Sequence, residues 1–508
     1  MTKSLLISIV SILVLSSCSR FFGGRGRNGK SETTGWDISN PVETLNAKTR
    51  YDAQKTGPGL VFIEGGTFVM GRTREDVMHN WNNAPTRQQV HSFYMDETEV
   101  TNIAYREYLS WLKRVFPPSD ERFSKIWLSA LPDTTVWRDT LSYNEVYVKN
   151  YLRHPAYSYY PVVGVNWLQA NRYAAWRTDR VNERILTRAG YISKEKSGEA
   201  HGAAHFSTEA YLNEVETSNS VASDATDTRT ASGKSAKRGK RKSAVVRRED
   251  GILLPAYRLP TEVEWEYAAV VPNQRRVYNI RKGRESPIRQ LRNRRIGKKG
   301  DFLANFKRRA GDYSGVVGWS NDGAAAPSET RTFPPNDAGL YDMEGNVAEW
   351  VADVYKPTID TETNDLNYYR GNTFTKVVRK DGKTAVVTET VTYDTLPNGK
   401  LVYHDLPGQV RYKKSGDTDA YPEGSSPSDS AFYSGDSPPT GLGQNNRNTP
   451  DSHDEFRVVK GGSWRDRAYW LDPAERRFMR EDRATSWIGF RCAMDRVGHK
   501  TRGRTRRN

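Results

Sequence analysis

Short blocks that combine glycine with tryptophan, tyrosine or phenylalanine recur along this chain of 508 residues, and long polar stretches separate them. Aromatic residues make up 11% of the chain, although all hydrophobic residues together make up only 36%. Because each large aromatic side chain buries a large area, a modest number of them can form a core. The sequence therefore predicts an aromatic-rich core whose elements are separated by long polar loops.

The first ordered part of the chain carries strand and turn patterns. Residues 60–71 have apolar runs on both sides of Gly65-Gly66, which is typical of a β-hairpin. Residues 92–96 have the composition of a further strand. We therefore expect order to begin near Leu60.

Three helices are predicted from apolar spacing and capping residues. Residues 103–116 have apolar side chains at helical spacing, with Thr101 or Asn102 as the expected N-cap. A second helix, after an Asn-Trp pair, is predicted to bury one side that contains Ala170, Tyr173 and Trp176. Thr261 and Glu264 have the spacing of a capping box, so a third helix is expected to begin between them.

Two long insertions interrupt these patterns. Residues 193–250 are rich in Ser, Ala, Thr, Lys and Glu and lack apolar periodicity, so no structure is predicted there. Residues 355–456 contain hairpin signals at 381–382 and 398–399 and then a loop rich in Pro, Ser, Gly and Asn. Long loops on a rigid domain are typical of binding surfaces, so the second insertion favours an interaction role.

The N-terminus has the pattern of a bacterial lipoprotein signal. Residues 1–17 contain a lysine, an apolar run and small residues, and Cys18 follows them. This lipobox-like pattern predicts that Cys18 is acylated and that residues 18–55 form a flexible tether. Ser19, rather than an aspartate, favours sorting to the outer membrane. The alternative is a short membrane anchor with an incidental cysteine.

Basic residues give the chain a net charge of +16 and are concentrated in three stretches. These are residues 237–248, residues 275–299 and the tail at 498–508. In a cytosolic protein they would indicate nucleic-acid binding. Because the signal predicts export, we expect no nucleic acid and consider anionic lipid, lipopolysaccharide, peptidoglycan or acidic proteins as partners. The alternative is that these charges are only solvated.

Seven blocks occur in a fixed order along the chain. They are EGGTFVMG at 64–71, MDETEVTN at 95–102, PVVGVNW at 161–167, RLPTEVEWEYAA at 258–269, GLYDMEGNVAEW at 339–350, GGSW at 461–464 and GFRC at 489–492. In this order and at these separations they resemble the formylglycine-generating enzyme (sulfatase-modifying factor) family. The resemblance implies one loop-rich α+β domain, related in fold to C-type lectins, over residues 56–497.

The resemblance fails at the catalytic positions of the family. Family enzymes use two cysteines, five positions apart after the Gly-Gly-Ser block, to bind copper and activate oxygen. In this sequence the matching positions hold Asp466 and Leu471. Neither side chain can replace the thiolates that bind Cu(I), so we expect a pseudoenzyme that holds no copper. Cys492, the remaining cysteine, is expected to be a small buried hydrophobe.

Calcium is the cofactor that the resemblance still implies. The first family site maps to the side chains of Asn305 and Asp322 and the backbone oxygens of Phe306 and Ala324. The second maps to the side chains of Asp342 and Glu349 and the carbonyls of Gly345 and Val347. Oxygen ligands of this kind suit a structural calcium ion. A hydrogen-bonded turn without metal is the alternative for the second site.

The eight histidines and the glycine-rich segments show no other catalytic pattern. No histidines have a metal-ligand spacing on a predicted helix, and His201 and His205 lie in the first insertion. The sequence also lacks a phosphate-binding glycine loop and a nucleophile elbow.

One subgroup of the family matches further segments of the chain. Residues 57–60, 76–86, 151–157 and 457–470 resemble the gliding-motility lipoproteins of Bacteroidetes. This resemblance implies a component of the gliding and type IX secretion machinery on the periplasmic side of the outer membrane, with other proteins of that machinery as partners. A non-catalytic scaffold is therefore expected. A glycan or peptidoglycan binder and an oxidase with an unrecognised site are the two alternatives.

Overall fold

A computed structural model describes most of the predicted domain. It describes residues 53–71, 82–192, 202–219, 246–270, 303–307, 324, 326–357, 366–371, 375–380, 383–387, 391, 393–396, 399–403, 405–414 and 455–498. The predictions for the signal peptide, for Cys18 and for the second and third basic stretches concern residues outside these ranges, except for Gly498.

Strands and helices alternate through the described residues, as expected for an α+β fold. The strands are β1 Leu60–Ile63, β2 Gly66–Met70, β3 Thr86–Val90, β4 Phe93–Asp96, β5 Tyr257–Arg258, β6 Ala348–Val354, β7 Thr375–Val377, β8 Arg379–Lys380, β9 Lys383–Thr384, β10 Tyr393–Thr395, β11 Leu401–Tyr403, β12 Tyr412–Lys414, β13 Phe456–Lys460, β14 Arg477–Arg480, β15 Ile488–Phe490 and β16 Ala493–Asp495. The α-helices are α1 Asn102–Val115, α2 Ser124–Ala130, α3 Glu145–Asn150, α4 Trp167–Ala189, α5 Thr208–Asn219 and α6 Glu262–Val270.

Two four-stranded sheets form the framework. The first has the strand order β1-β4-β16-β5 and is antiparallel throughout. The second has the order β14-β13-β6-β15, and only its β6–β15 pair is parallel. Successive residues Trp350 and Val351 of β6 belong to different core clusters, since side chains alternate between the two faces of a strand. The second sheet is therefore buried on both faces along β6.

The hairpin predicted around Gly65-Gly66 is wrong, although both strands exist. β1 pairs with β4, whereas β2 pairs with β3. The Gly65 amide donates to the Ser92 hydroxyl, and a side chain at position 65 would collide with the backbone of residues 90–92. The two glycines therefore let the chain pass close to the β3–β4 connection on its way from one sheet to the other.

The three predicted helices are confirmed as α1, α4 and α6. Thr101 is the N-cap of α1, but its side chain makes no capping hydrogen bond. Asn102 instead donates to the carbonyls of Tyr151 and Tyr157, so it ties α1 to the loop after α3. The predicted capping box of α6 is present, with the Glu264 amide donating to the Thr261 hydroxyl over 3.2 Å. In α4, the predicted buried side is confirmed for Ala170, Tyr173 and Trp176.

The insertions are more ordered than their composition indicates. Part of the first insertion forms α5, and His205 just before it is buried against the rings of Trp111 and Phe116. The prediction of no structure at 193–250 is therefore wrong for the described residues, because a few apolar and aromatic side chains suffice to dock a segment on the core. In the second insertion, β8 pairs with β9 and β10 with β11, which confirms both hairpins.

Cys492 is fully buried, as predicted, and burial raises the pKa of its thiol to about 12. A thiol with such a pKa is inert near neutral pH. Among the helices in the described ranges, none combines the length and apolar character needed to cross a bilayer.

Candidate functional site

The segment predicted to match the family's cysteine positions begins at a glycine turn directly after β13. Gly461 and Gly462 both have positive φ, of 92° and 66°, which favours glycine. A Cβ atom on Gly462 would lie 2.6 Å from the carbonyl oxygen of Trp470. A Cβ atom on Gly461 would lie 2.9 Å from the Trp265 ring. The turn therefore folds the segment tightly back onto the core.

Asp466 lies in this segment and both of its carboxylate oxygens accept hydrogen bonds. Arg477 of β14 donates to Oδ1 over 2.9 Å and to Oδ2 over 2.7 Å. The Ser463 hydroxyl also donates to Oδ2. This two-pronged pair is the geometry in which a guanidinium and a carboxylate bind most strongly. Asp466 thus connects the glycine turn to β14.

Two tryptophan rings lie close to the guanidinium of Arg477. Its central carbon lies 4.8 Å from the ring centre of Trp470 and 4.5 Å from that of Trp487. Only 16% of the Arg477 side chain and 13% of the Asp466 side chain are exposed. The ion pair is therefore mostly shielded from water and adds a cation–π contact to its hydrogen bonds.

Leu471, at the other former cysteine position, is 1% exposed and belongs to a small apolar cluster. Its buried neighbours in that cluster are Ala304 and Phe306. The backbone of the same 303–307 segment also contacts the turn, because the Lys307 amide donates to the Asp466 carbonyl over 2.9 Å. Leu471 consequently fills space in the core and presents no reactive atom.

These side chains can do little chemistry as they are arranged. Both oxygens of the Asp466 carboxylate already accept hydrogen bonds, from one guanidinium and one hydroxyl. Cu(I) prefers soft sulfur ligands, and this segment offers an aspartate and a leucine instead. The geometry suits a rigid structural connection better than oxygen activation.

The predicted second calcium site contains an ion pair as well. Arg491 donates to both oxygens of Glu349 over 2.6–2.9 Å, and the Trp265 indole donates to Oε2 over 2.8 Å. Both charged side chains are almost completely buried. Glu349 therefore does not fit the role of a calcium ligand, since calcium would have to displace the guanidinium. The hydrogen-bonded alternative describes this glutamate better.

The loop that leads to Glu349 contains several residues with positive φ. Asp342, Gly345 and Asn346 have positive φ, and a Cβ on Gly345 would lie 2.5 Å from the Asn305 carbonyl oxygen. The Asn346 amide donates to that same oxygen over 2.9 Å. Burial raises the pKa of Asp342 to about 6, and its carboxylate accepts from the Arg331 amide. The loop is thus packed directly against the predicted first calcium site.

Asn305 fits an oxygen ligand better than Glu349 does. Its side-chain amide donates to Ala326 and Asn346, while its Oδ1 atom is buried and has no partner among the described residues. Phe306 and Ala324 are described, but Asp322 lies outside the described residues. No group of three or more His, Cys, Asp or Glu side chains in the described ranges could hold a metal. Because both predicted sites also use amide and carbonyl oxygens, calcium stays a prediction.

Sequence reasoning missed three charged residues that organise these regions. Arg477 neutralises Asp466, and Arg491 neutralises Glu349. Glu99 is a further carboxyl in this region. Glu99 is buried, accepts from Asn346 over 3.0 Å, and burial raises the pKa of its carboxyl well above the usual range. Glu99 and Arg491 stand inside the MDETEVTN and GFRC blocks, so their presence in these blocks was the available signal, whereas Arg477 lies in neither.

Comparison with known proteins gives a family match over most of the chain. The model of the sulfatase-modifying factor enzyme 1-like domain matches residues 46–399. The former cysteine positions lie beyond the matched residues, so their assignment rests on the Gly-Gly-Ser block and its spacing.

Individual relatives agree with this match. The formylglycine-generating enzyme of Mus musculus is 24% identical over 322 residues, which cover 60% of this chain and 64% of the relative. The chain therefore spans just under two thirds of that relative's length. A mouse protein named inactive C-alpha-formylglycine-generating enzyme 2 is 37% identical over 115 residues, 22% of this chain and 30% of its own. The structure of PvdO from Pseudomonas aeruginosa is 15% identical, covers 86% of this chain and 94% of its own, and has a TM-score of 0.38.

Proposed function

Since this chain belongs to the sulfatase-modifying factor enzyme 1-like family, we propose that it is a non-catalytic member which acts as a structural component of the gliding motility and type IX secretion machinery. In this proposal the acylated Cys18 holds the domain at the periplasmic face of the outer membrane. The partners are other gliding and secretion proteins, and calcium, where bound, is structural.

The ion pair between Asp466 and Arg477 carries the proposal that the chain is not an enzyme. It occupies the segment in which family enzymes place their copper-binding cysteines, and Leu471 at the second position is buried in the core. A relative with catalytic chemistry would need exposed thiolates there. The printed name of one mouse relative describes it as inactive, which is in keeping with loss of activity inside this family.

The finer assignment depends on the sequence segments that resemble gliding-motility lipoproteins. Among these, the protein called GldJ is the first choice and its sister GldK the second. In the segment at 151–157, Tyr151 is buried and its hydroxyl donates to the Pro161 carbonyl over 2.7 Å, so this residue has a structural role.

An exposed apolar loop supports a role in binding other proteins. Leu141 is 94% exposed and Tyr143 is 85% exposed, and Val146 at the start of α3 is 55% exposed. Single exposed apolar residues are ordinary, but three within six positions form a patch typical of an interaction site. The second insertion adds a fixed surface, because Tyr403 of β11 shares a hydrogen bond with the Tyr108 hydroxyl in the core.

The proposal is tested by complementation in the organism that makes the protein. We expect deletion of the gene to abolish spreading and secretion, and the Cys18→Ser variant to fail to restore them because the domain is no longer anchored. Asp466→Asn should restore both functions fully, since it removes a charge that serves only structure. Loss of function in Asp466→Asn at normal protein level would contradict a non-catalytic role.

The apolar loop gives a sharper test of the scaffold role. A photo-crosslinking residue at Leu141 should form adducts with gliding or secretion proteins in intact cells. The matched control is Leu128, an isolated exposed leucine on α2 that is 55% exposed. Equal crosslinking at both positions, or only self-crosslinking, would count against this loop as the partner surface.

A cleft of about 530 Å³ favours glycan binding as the second candidate function. Trp167 and Tyr369 line it together with the amides of Asn171 and Asn367 and the guanidinium of Arg258. Partly exposed aromatic rings beside planar polar groups suit the faces and hydroxyls of sugars. Retention on purified cell wall that Tyr369→Ala abolishes would favour this candidate, and no retention would remove it.

A further inference from the structure

A cavity of about 790 Å³ lies beside the end of α4. It is a groove, named here the basic groove, between the start of the ordered chain at residues 53–58, the last turns of α4 and residues 251–254. Neither the family's cysteine positions nor the predicted calcium sites contribute to it. Its lining therefore needs a separate explanation.

Positive charge is the first property of the basic groove. Lys55, Arg184 and Arg188 line it, and none of its lining residues is acidic. Arg184 and Arg188 are one helical turn apart and both are exposed, so their guanidinium groups lie on the same side of α4. Among the described residues, these three cations form no ion pair with a carboxylate.

An apolar floor is the second property of the basic groove. Val181 and Ile185 of α4 face it together with Leu253 and Leu254, and all four side chains are only partly buried. Val181 and Ile185 alternate along the helix with Arg184 and Arg188, so apolar and cationic side chains adjoin each other. An apolar group of a ligand that covered this floor would be removed from water, which favours binding.

We propose that the basic groove binds an anionic phospholipid of the membrane to which the chain is anchored. The phosphate would lie among the three cations, and part of an acyl chain would cover the apolar floor. A nucleotide or a free phosphate would use the cations but leave the floor exposed. A neutral acyl chain would leave the cations unpaired. Only an anionic amphiphile satisfies both properties.

The position of the basic groove suits this ligand. Ala53 lines the groove and is the first residue that the structure describes, about 35 residues after Cys18. A chain of that length reaches at most about 120 Å when fully extended. The groove can therefore reach the lipid surface while Cys18 stays in it. This step rests on the proposed lipid anchor, whereas the chemistry of the groove does not.

Binding is tested on the purified full mature chain carrying Cys18→Ser, which cannot be acylated. The probes are a soluble short-chain phosphatidylglycerol, measured by calorimetry, and phosphatidylcholine vesicles with or without phosphatidylglycerol, measured by flotation. We expect binding to both anionic probes and none to phosphatidylcholine alone. Arg184→Gln/Arg188→Gln should weaken binding by about thirtyfold, if each cation contributes as it does near an anionic surface.

The matched control removes two other exposed cations four positions apart, as Lys149→Gln/Arg153→Gln. This variant has the same net charge as the groove variant, and we expect it to change the affinity for the short-chain lipid less than about twofold. An equal loss in both variants would overturn the proposal, because general surface charge would then explain the binding. Thermal melting of each variant verifies that the fold is retained.

Two further experiments identify the chemistry of the ligand. Ile185→Ser should lower the affinity for the short-chain lipid several-fold, since it removes part of the apolar floor. Inorganic phosphate should not displace the lipid at comparable concentration. Displacement by phosphate, with no effect of Ile185→Ser, would make this a free-anion site and overturn the proposal. Because these assays use purified protein, their failure leaves the secretion and spreading tests of the proposed function unaffected.

Discussion

Two arginine–carboxylate pairs lie near the glycine turn after β13, and they differ in depth. Arg491 and Glu349 are essentially unexposed, whereas Arg477 and Asp466 keep 16% and 13% of their side chains exposed. The deep pair belongs to blocks that resemble the family pattern. The shallower pair includes Asp466, at a position where the family resemblance implies a cysteine and this chain has none. The two pairs therefore differ in how far water can weaken their attraction.

The two regions meet at the short segment 303–307. The Asn305 carbonyl accepts from Asn346 in the deep region, and the Lys307 amide donates to the Asp466 carbonyl in the shallower one. Strain or loss of contact in one region can therefore be transmitted to the other through a few backbone hydrogen bonds. The following changes separate the two contributions.

The largest effect is expected at the deep pair. Arg491→Met leaves Glu349 as a buried charge without its partner and should lower the free energy of unfolding by about 3–5 kcal/mol. Chemical denaturation measures this loss. Adding Glu349→Gln should recover part of it, because the uncompensated charge is then removed. A loss below about 1 kcal/mol would mean that water reaches the Glu349 carboxylate.

A smaller effect is expected at the glycine turn. Gly462→Ala combines a positive φ with a Cβ atom 2.6 Å from the Trp470 carbonyl oxygen, and should cost about 1–3 kcal/mol. Gly339→Ala is the matched control, since its φ is also positive but no atom lies within 4 Å of the new Cβ. If both variants lose the same stability, strain alone matters and the close packing of the turn does not.

Asp466→Asn should cost about 1 kcal/mol, because the pair with Arg477 is only partly buried and one hydrogen bond can be retained. Thermal and chemical unfolding measure the change. The ion pair of Arg138 with Glu145 is more exposed and serves as the reference for a weak pair. Arg138→Gln should therefore not change the stability measurably. A loss at Asp466 as large as that at Arg491 would remove the contrast between the two regions.

Calcium is expected to give the smallest effect. Where the free calcium concentration equals the dissociation constant, calcium that binds only the folded state raises the free energy of unfolding by about 0.4 kcal/mol. Asn305→Ala should abolish that increment, since it deletes the buried Oδ1 atom that has no other described partner. Unfolding with calcium and with a chelator measures it. An increment that persists in Asn305→Ala would place the ion elsewhere.

Local sequence signals predicted the elements better than their pairing. The Thr261–Glu264 capping box and the two turns of the second insertion were readable because a few adjacent residues determine them. The hairpin at Gly65 failed because the contact that decides it comes from residues 90–92, far along the chain. The ordered part of the first insertion was missed because His205, just before α5, packs on Trp111 and Phe116, which local composition does not reveal.

Sequence signals likewise predicted which residues lie in the candidate site but not which residues they pair with. The spacing after the Gly-Gly-Ser block placed Asp466 and Leu471 in one turn, and the resemblance supplied their former role. The partner of Asp466 could not be read from the sequence, because Arg477 approaches from β14 through sheet pairing. Glu349 was assigned to calcium for the same reason, since its neutralising partner Arg491 lies more than a hundred positions away.

Titration of the purified protein with Cu(I) against a competing chelator tests the account most directly. With an aspartate bound to Arg477 and a buried leucine in place of the two cysteines, we predict no copper binding and no oxidation of a cysteine-containing peptide in air. One equivalent of tightly bound Cu(I), lost in Asp466→Ala and accompanied by peptide oxidation, would contradict the account.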